Sequence, residues 1–249
     1  MSRFLPVVLS LLFFSTCGIA QSPLDQILNK TTGKPATTTS STGKPGAINL
    51  SNDKITAGLK EALKISTTKA VDLTGKPDGF LKNEAIKILL PEKLRTAGRG
   101  LRILGMGPQL DELEVGMNRA AEQAAPQAKQ IFLNALMKMS IDDARRILSG
   151  NQTAATDYFR NSSSADLTTA FKPIVHSAMQ NVGVIKQFGQ LTQNSMAAPA
   201  LQKFDLDGYV VGKTLDGLFY MLGQQEKQIR TNPAAQTTTL LKQVFGGLK

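Results

Sequence analysis

Asp111, Glu114, Asn118 and Glu122 follow one another at spacings of 3, 4 and 4 residues, with Arg119 beside them. At 3.6 residues per turn they form one helical stripe, offset roughly a quarter to a third of a turn from the centre of the apolar face. Polar groups at the edge of a core either face water or join a network with a neighbouring helix, and such a network can line a ligand cleft. Paired carboxylates also suffice for glycoside chemistry, which needs an acid and a base or nucleophile flanking one bond.

A second acidic pair, Asp205 and Asp207, opens the stretch that closes on Arg230, Asn232 and Pro233. A calcium loop of the EF-hand kind needs oxygen ligands at its first, third and fifth positions, glycine at the sixth and glutamate at the twelfth. Counting from Asp205, the fifth is Tyr209 and the twelfth is Asp216, so the pattern fails. Asp205 as an N-cap and Asp207 in a first turn is what helix electrostatics favours. Val211, Leu215, Leu218, Leu222 and Ile229 then follow as a stripe for burial.

Other signatures are missing. His176 is the single histidine, with no second ligand near it in sequence, and it reads as a boundary or buried residue. There is no Gly-x-Ser-x-Gly elbow, His-Glu-x-x-His pair or dinucleotide fingerprint. Thr-Gly-Lys-Pro occurs three times, but a proline follows each lysine where a phosphate loop needs Ser or Thr. No cofactor and no metal is expected.

The elements that must position these residues are helical. Ile55, Leu59, Ala62, Leu63, Ala70 and Leu73 share one face, and Gly75 is a natural stop. Ile86 to Leu90 is a short apolar run before Pro91 whose length fits a short strand or a buried turn equally. Pro91 to Leu104 reads as a helix with proline in its first turn. Leu113, Met117, Ala120, Ala121, Ala124, Ala128, Ile131, Ala135 and Met139 hold a helical spacing over residues 108–139, with a kink expected at Pro126. Ser140 is the next N-cap and Gly150 its stop. Further helices are expected near 153–160, 166–191, 205–231 and 234–245. The fold class is all-α: a single-domain bundle with at most a very short strand pair, preceded by a disordered spacer.

The N-terminus addresses the chain. Arg3, the apolar run Leu5 to Phe14 and the small residues Gly18 and Ala20 make a secretory signal peptide, cut before Gln21. Phe14-Ser15-Thr16 is a poor context for lipidation of Cys17, and cleavage after Ala20 removes this single cysteine with the leader. Residues 21–50 form a Thr/Ser/Pro/Gly/Lys-rich spacer with too little apolar surface to offset its ordering entropy, and residues 51–249 form the helical domain.

The 249 residues carry 29 Lys and Arg against 19 Asp and Glu. The excess is concentrated between Lys30 and Gly107, where 14 basic side chains stand against 6 acidic ones. Such asymmetry marks an anionic partner. For an exported chain without aromatic-rich nucleic-acid patterns, that partner is an anionic membrane or envelope surface rather than nucleic acid. Lys82, Lys87, Lys93 and Arg95 are the cations expected to meet it. Eight methionines, which repack easily, leave room for a carrier of an apolar ligand between helices.

Several stretches together carry a resemblance: Gly79-Phe80, Ile86 to Pro91, DELEVGMNRAAEQA (111–124), DARRILSG (143–150) and AATDYFR (154–160). It continues through FKP (171–173), DLDGYVVGKTLDGLF (205–219), IRTNP (229–233) and the closing LLKQVFGG. In these the chain resembles the bacterial domain-of-unknown-function family 4197, in order from Ser51 to the end. The resemblance implies an exported, mostly helical protein without an assigned activity. It makes Asp111, Glu114, Asn118, Arg119, Glu122, Asp205, Asp207, Arg230 and Asn232 the candidate site residues. The reading is a non-catalytic, envelope-associated binding protein, with a carboxylate hydrolase or an apolar-ligand carrier as alternatives.

Overall fold

The buried hydroxyls of α1 (Asn52–Gly75) show how this chain packs its helices closely. Ser66, Thr67 and Thr74 lie inside the fold, and each donates to a carbonyl one turn back in its own helix, at 2.8–3.1 Å. A hydroxyl satisfied in this way needs no partner from the neighbouring helix, so small polar residues can sit at a helix contact. Leu59, Ala62, Leu63, Ala70 and Val71 complete the inward face.

The computed structural model describes residues 52–193, 203–236 and 238–245. The chain divides into two units, Met1–Pro45 and Gly46–Lys249, and the described residues belong to the second. The expected signal peptide with Cys17 and the expected spacer over residues 21–50 lie outside them. The remaining helices are α2 (Glu92–Ile103), α3 (Gly107–Ala124), α4 (Ala128–Lys138), α5 (Ile141–Ser149), α6 (Ala154–Asn181), α7 (Val184–Gln193), α8 (Leu206–Thr231) and α9 (Thr239–Phe245). Among the described residues there is no strand, and the all-α class holds.

The core is shared by α1, the α3–α4 pair, α6 and α8, with α2, α5, α7 and α9 packed around them. Ala120, Ala121, Ala124, Ala125 and Ala128 are fully buried and let α3 and α4 approach their neighbours closely. Phe132 of α4 meets Phe159 of α6 and Phe219 of α8 edge-on, with centroids 5.1 and 6.0 Å apart. On α8, Gly217 makes room for Phe80, because a Cβ there would stand 2.5 Å from the Phe80 ring.

Three boundaries differ from those read in the sequence. The long helix over 108–139 is two helices joined by a 3-10 turn, Ala125–Gln127, where Pro126 removes an amide donor. The two helices expected near 153–160 and 166–191 are instead the single helix α6, running through Ser162 to Ser164 and through Pro173. Phe159, Ser163, Leu167, Phe171 and Val175, all buried, keep one face inward, and burial of that face overrides the preference of serine for turns. The break falls instead at Gly183, whose φ of +74° reverses the chain into α7. The last helix starts later than expected, at Thr239, after a 3-10 turn at Pro233–Ala235.

Candidate functional site

Between α1 and α2, residues 76–91 cross the bundle without forming a helix. Phe80, Ile86, Ile88 and Leu90 are buried, while Leu89 between the last two is exposed. The run therefore alternates as a strand does, yet no second strand lies beside it. A buried backbone of this kind must find other hydrogen-bond partners, and α3 supplies them. The Asn118 side chain accepts from Ile88 N–H and donates to Ile88 C=O, both at 2.8 Å. One turn along, Glu122 Oε1 accepts from the N–H groups of Phe80 and Leu81, each at 3.1 Å.

The stripe thus faces mainly a connecting segment, and only Asp111 reaches a neighbouring helix, α2, through Arg102. Its outer members are tied as well. Arg119 bridges Glu122 and Asp78, each at 2.7 Å. Asp78 stands in a Pro-Asp-Gly turn with φ of 65°, and the hydrogen bonds from Lys82 and Arg119 hold its carboxyl below the usual range. Glu114 pairs with Lys87 at 2.9 Å, and Asp111 pairs with Arg102 at 2.5 Å. Each carboxylate of the stripe is engaged in an ion pair.

The other candidates lie in two separate places. Asp205 is the N-cap of α8, its Oδ1 accepting from Gly208 N–H at 2.8 Å. Asp207, in the first turn, meets His176 of α6, with Nδ1 2.6 Å from its Oδ2 and the Gln180 amide nitrogen 2.9 Å from Nε2. At the far end of α8, Arg230 contacts Glu226 at 3.0 Å and donates to Ile147 C=O at 2.7 Å. Asn232 is the C-cap residue, its Oδ1 accepting from Ala234 N–H at 3.0 Å.

Glu226 is the residue that sequence reasoning missed. Buried in α8, it accepts from the backbone N–H groups of Ala155 and Thr156 and from the Thr156 hydroxyl, at 2.8–2.9 Å. A carboxylate from another helix therefore caps the positive end of α6. The only trace in sequence is its spacing of four residues from Arg230, a favourable helical pair.

The basic region resolves into two groups. Lys87 is consumed by Glu114, and Lys82 pairs with Asp78 at 2.8 Å. Lys93, Arg95 and Arg99, all on α2, have no acidic partner among the described residues. Leu94, Gly98 and Leu101 face inward from α2, which packs on α3. Arg95, Arg99 and Arg102 share the adjoining stripe. The helix ends in Ile103 and Leu104, which are 86% and 71% exposed.

These features define an all-helical bundle whose polar motif residues stitch irregular backbone and helix ends to the core, with a basic, apolar-tipped helix on its surface. The chain belongs to the family described as protein of unknown function, DUF4197, which matches residues 49–246. No curated protein and no solved structure matches it. Among the described residues no helix is long and apolar enough to cross a membrane, and no cluster of three or more metal-ligating side chains is present.

Proposed function

We propose that this is an exported, non-catalytic binding protein that docks on an anionic membrane surface through α2 and the α2–α3 corner. The observation that carries the reading is the pairing of Ile103 and Leu104, both largely exposed, with the unpartnered cations Lys93, Arg95 and Arg99 of the same helix. A basic helix with outward apolar side chains lies in the interfacial plane of a bilayer, apolar groups in the acyl boundary and cations at the headgroups. Full burial of a Leu or Ile side chain contributes about 1.5–3 kcal/mol. Each Lys or Arg at an anionic surface adds about 1 kcal/mol. Binding of this strength is measurable and reversible, and it needs no spanning helix.

The test is sedimentation of the mature protein with phosphatidylglycerol-containing and neutral vesicles. Binding rises with anionic lipid and collapses in high salt, where the Debye length falls from about 10 Å at 0.1 M to about 3 Å at 1 M. Equal binding to neutral vesicles, or binding that survives 1 M salt (a Debye length of about 3 Å), rejects the reading. N-terminal sequencing of the envelope-fraction protein tests export, and a start at Gln21 supports cleavage after Ala20.

A further inference from the structure

We infer that the cleft between α5 and the first turns of α6 is a binding site for a neutral carbohydrate unit of mono- to disaccharide size. The inference does not rest on the membrane reading, since the cleft and α2 share no residue. The cleft measures about 530 Å³, within the range of small-molecule sites. Ile147, Gly150, Ala154 and Tyr158 are among its lining residues. The Tyr158 hydroxyl donates inward to Ala135 C=O at 3.1 Å, which fixes the orientation of its ring.

Around this apolar lining stand Asn151, Asp157, Asn161 and Ser162. Asn151 uses its Oδ1 on Thr153 N–H and the Thr153 hydroxyl, at 2.7 and 3.1 Å, which leaves its amide protons to donate. Asn161 and Asp157 are exposed, one turn apart on α6, and their side chains have no hydrogen-bond or ion-pair partner among the described residues. The free set is therefore mixed: amide donors from two asparagines, an amide acceptor and a carboxylate, beside the Ser162 hydroxyl, which lies 3.4 Å from Ser163 Oγ. Sugar hydroxyls both donate and accept, and the C–H face of a pyranose is apolar, so a mixed polar rim around an aromatic ring matches both properties.

Charge narrows the class. Two carboxylates, Asp143 and Asp157, face one guanidinium, Arg146, which is already paired with Asp143. The N–H groups of Ala155 and Thr156, which could otherwise hold an anion, are occupied by Glu226. The cleft therefore disfavours phosphate and other anions. A polycation would find only the single exposed carboxylate of Asp157 free, with no second acid to hold it.

The full mature chain is titrated with cellobiose and diacetylchitobiose, and with inorganic phosphate and spermidine as charged probes, following the side-chain amide resonances of Asn151 and Asn161 by NMR. At least one disaccharide should produce saturable shifts of both amides. Asn161→Ala and Asp157→Ala should each weaken that binding about tenfold, the effect of losing one hydrogen bond of this strength. Both substitutions are at exposed sites, and an unchanged melting temperature separates loss of binding from loss of fold. Failure of both disaccharides to saturate, tighter binding of phosphate or spermidine, or disaccharide binding unchanged in both variants overturns the assignment.

Discussion

Asn118 pairs with Ile88 as one strand residue pairs with another: its Oδ1 accepts the Ile88 N–H and its Nδ2 donates to the Ile88 C=O, both at 2.8 Å. A single fully buried amide side chain thereby replaces the missing neighbour of a strand-like run. Asn118→Ala leaves both backbone groups of Ile88 unsatisfied, and at about 1–3 kcal/mol per group the cost is roughly 2–6 kcal/mol. Asn118→Asp retains the acceptor but sets a carboxylate oxygen against the Ile88 carbonyl, so it should also destabilise. Urea unfolding measures both, and variants as stable as the parent would remove this pairing from the account of the fold.

Glu226 and Arg230 form a buried pair that also holds the start of α6 and the end of α5. Breaking one partner of such a pair costs about 3–5 kcal/mol, because the other charge remains buried. Glu226→Gln and Arg230→Met should each be strongly destabilising, while the double variant should cost less than their sum. A double-mutant cycle reads the coupling, expected to exceed about 1 kcal/mol. Simple additivity would mean that the two residues act independently.

Asp205→Ala removes the cap of α8 and should lower stability by roughly 0.5–2 kcal/mol, with Asp205→Ser recovering most of it. Added calcium should leave the melting temperature of the parent unchanged. A calcium-dependent rise abolished by Asp205→Ala would replace capping by metal binding.

Three aspartates have folded-state pKa values below the usual 3.8: Asp78 through hydrogen bonds from Lys82 and Arg119, Asp111 through Arg102, and Asp143 through Ser140 and then Arg146. A depressed folded pKa contributes stability that is present above the unfolded value and lost as pH falls through the folded one. The melting temperature should therefore hold down to about pH 4 and decline below it. A triple variant with asparagine at these positions should show a shallower decline in calorimetric scans, and an identical acid profile would rule out these carboxylates as its source.

On the proposed membrane surface, Arg95→Gln with Arg99→Gln removes about 2 kcal/mol of headgroup attraction, a factor of about 30 in partitioning. Ile103→Ser with Leu104→Ser should weaken binding to the same vesicles. Lys87→Gln should not, because Lys87 is already paired with Glu114. Vesicle sedimentation that ranks Lys87 with the α2 arginines would favour diffuse charge over a localised docking helix.

The sequence was most informative where the deciding interactions are local. Ser140 and Asp143 form the capping box of α5, and Gly150 ends it, because caps act within a few residues of the chain. The kink at Pro126 was legible for the same reason: a proline cannot donate to its own helix. The break expected between residues 160 and 166 is absent because burial of Phe159, Leu167 and Phe171 on one face outweighs the weak intrinsic preference of Ser162 to Ser164 for turns. Asp78 could be placed in a turn from Pro77-Asp78-Gly79, but not opposite Arg119.

Sequence by itself determined the all-α class, most helix ends, the cap at Asp205 and the concentration of basic residues before Gly107. Each follows from spacing, propensity or charge that neighbouring residues express without the rest of the chain. Tertiary structure decided what the polar stripe does, which cations remain free, that His176 meets Asp207, and that Glu226 caps a helix starting some 70 residues earlier. Those outcomes depend on which groups folding brings within about 3 Å, the range of a hydrogen bond. A carboxylate or amide has the same covalent form whether it faces water, a ligand or a buried backbone, and only the packed neighbours distinguish the three.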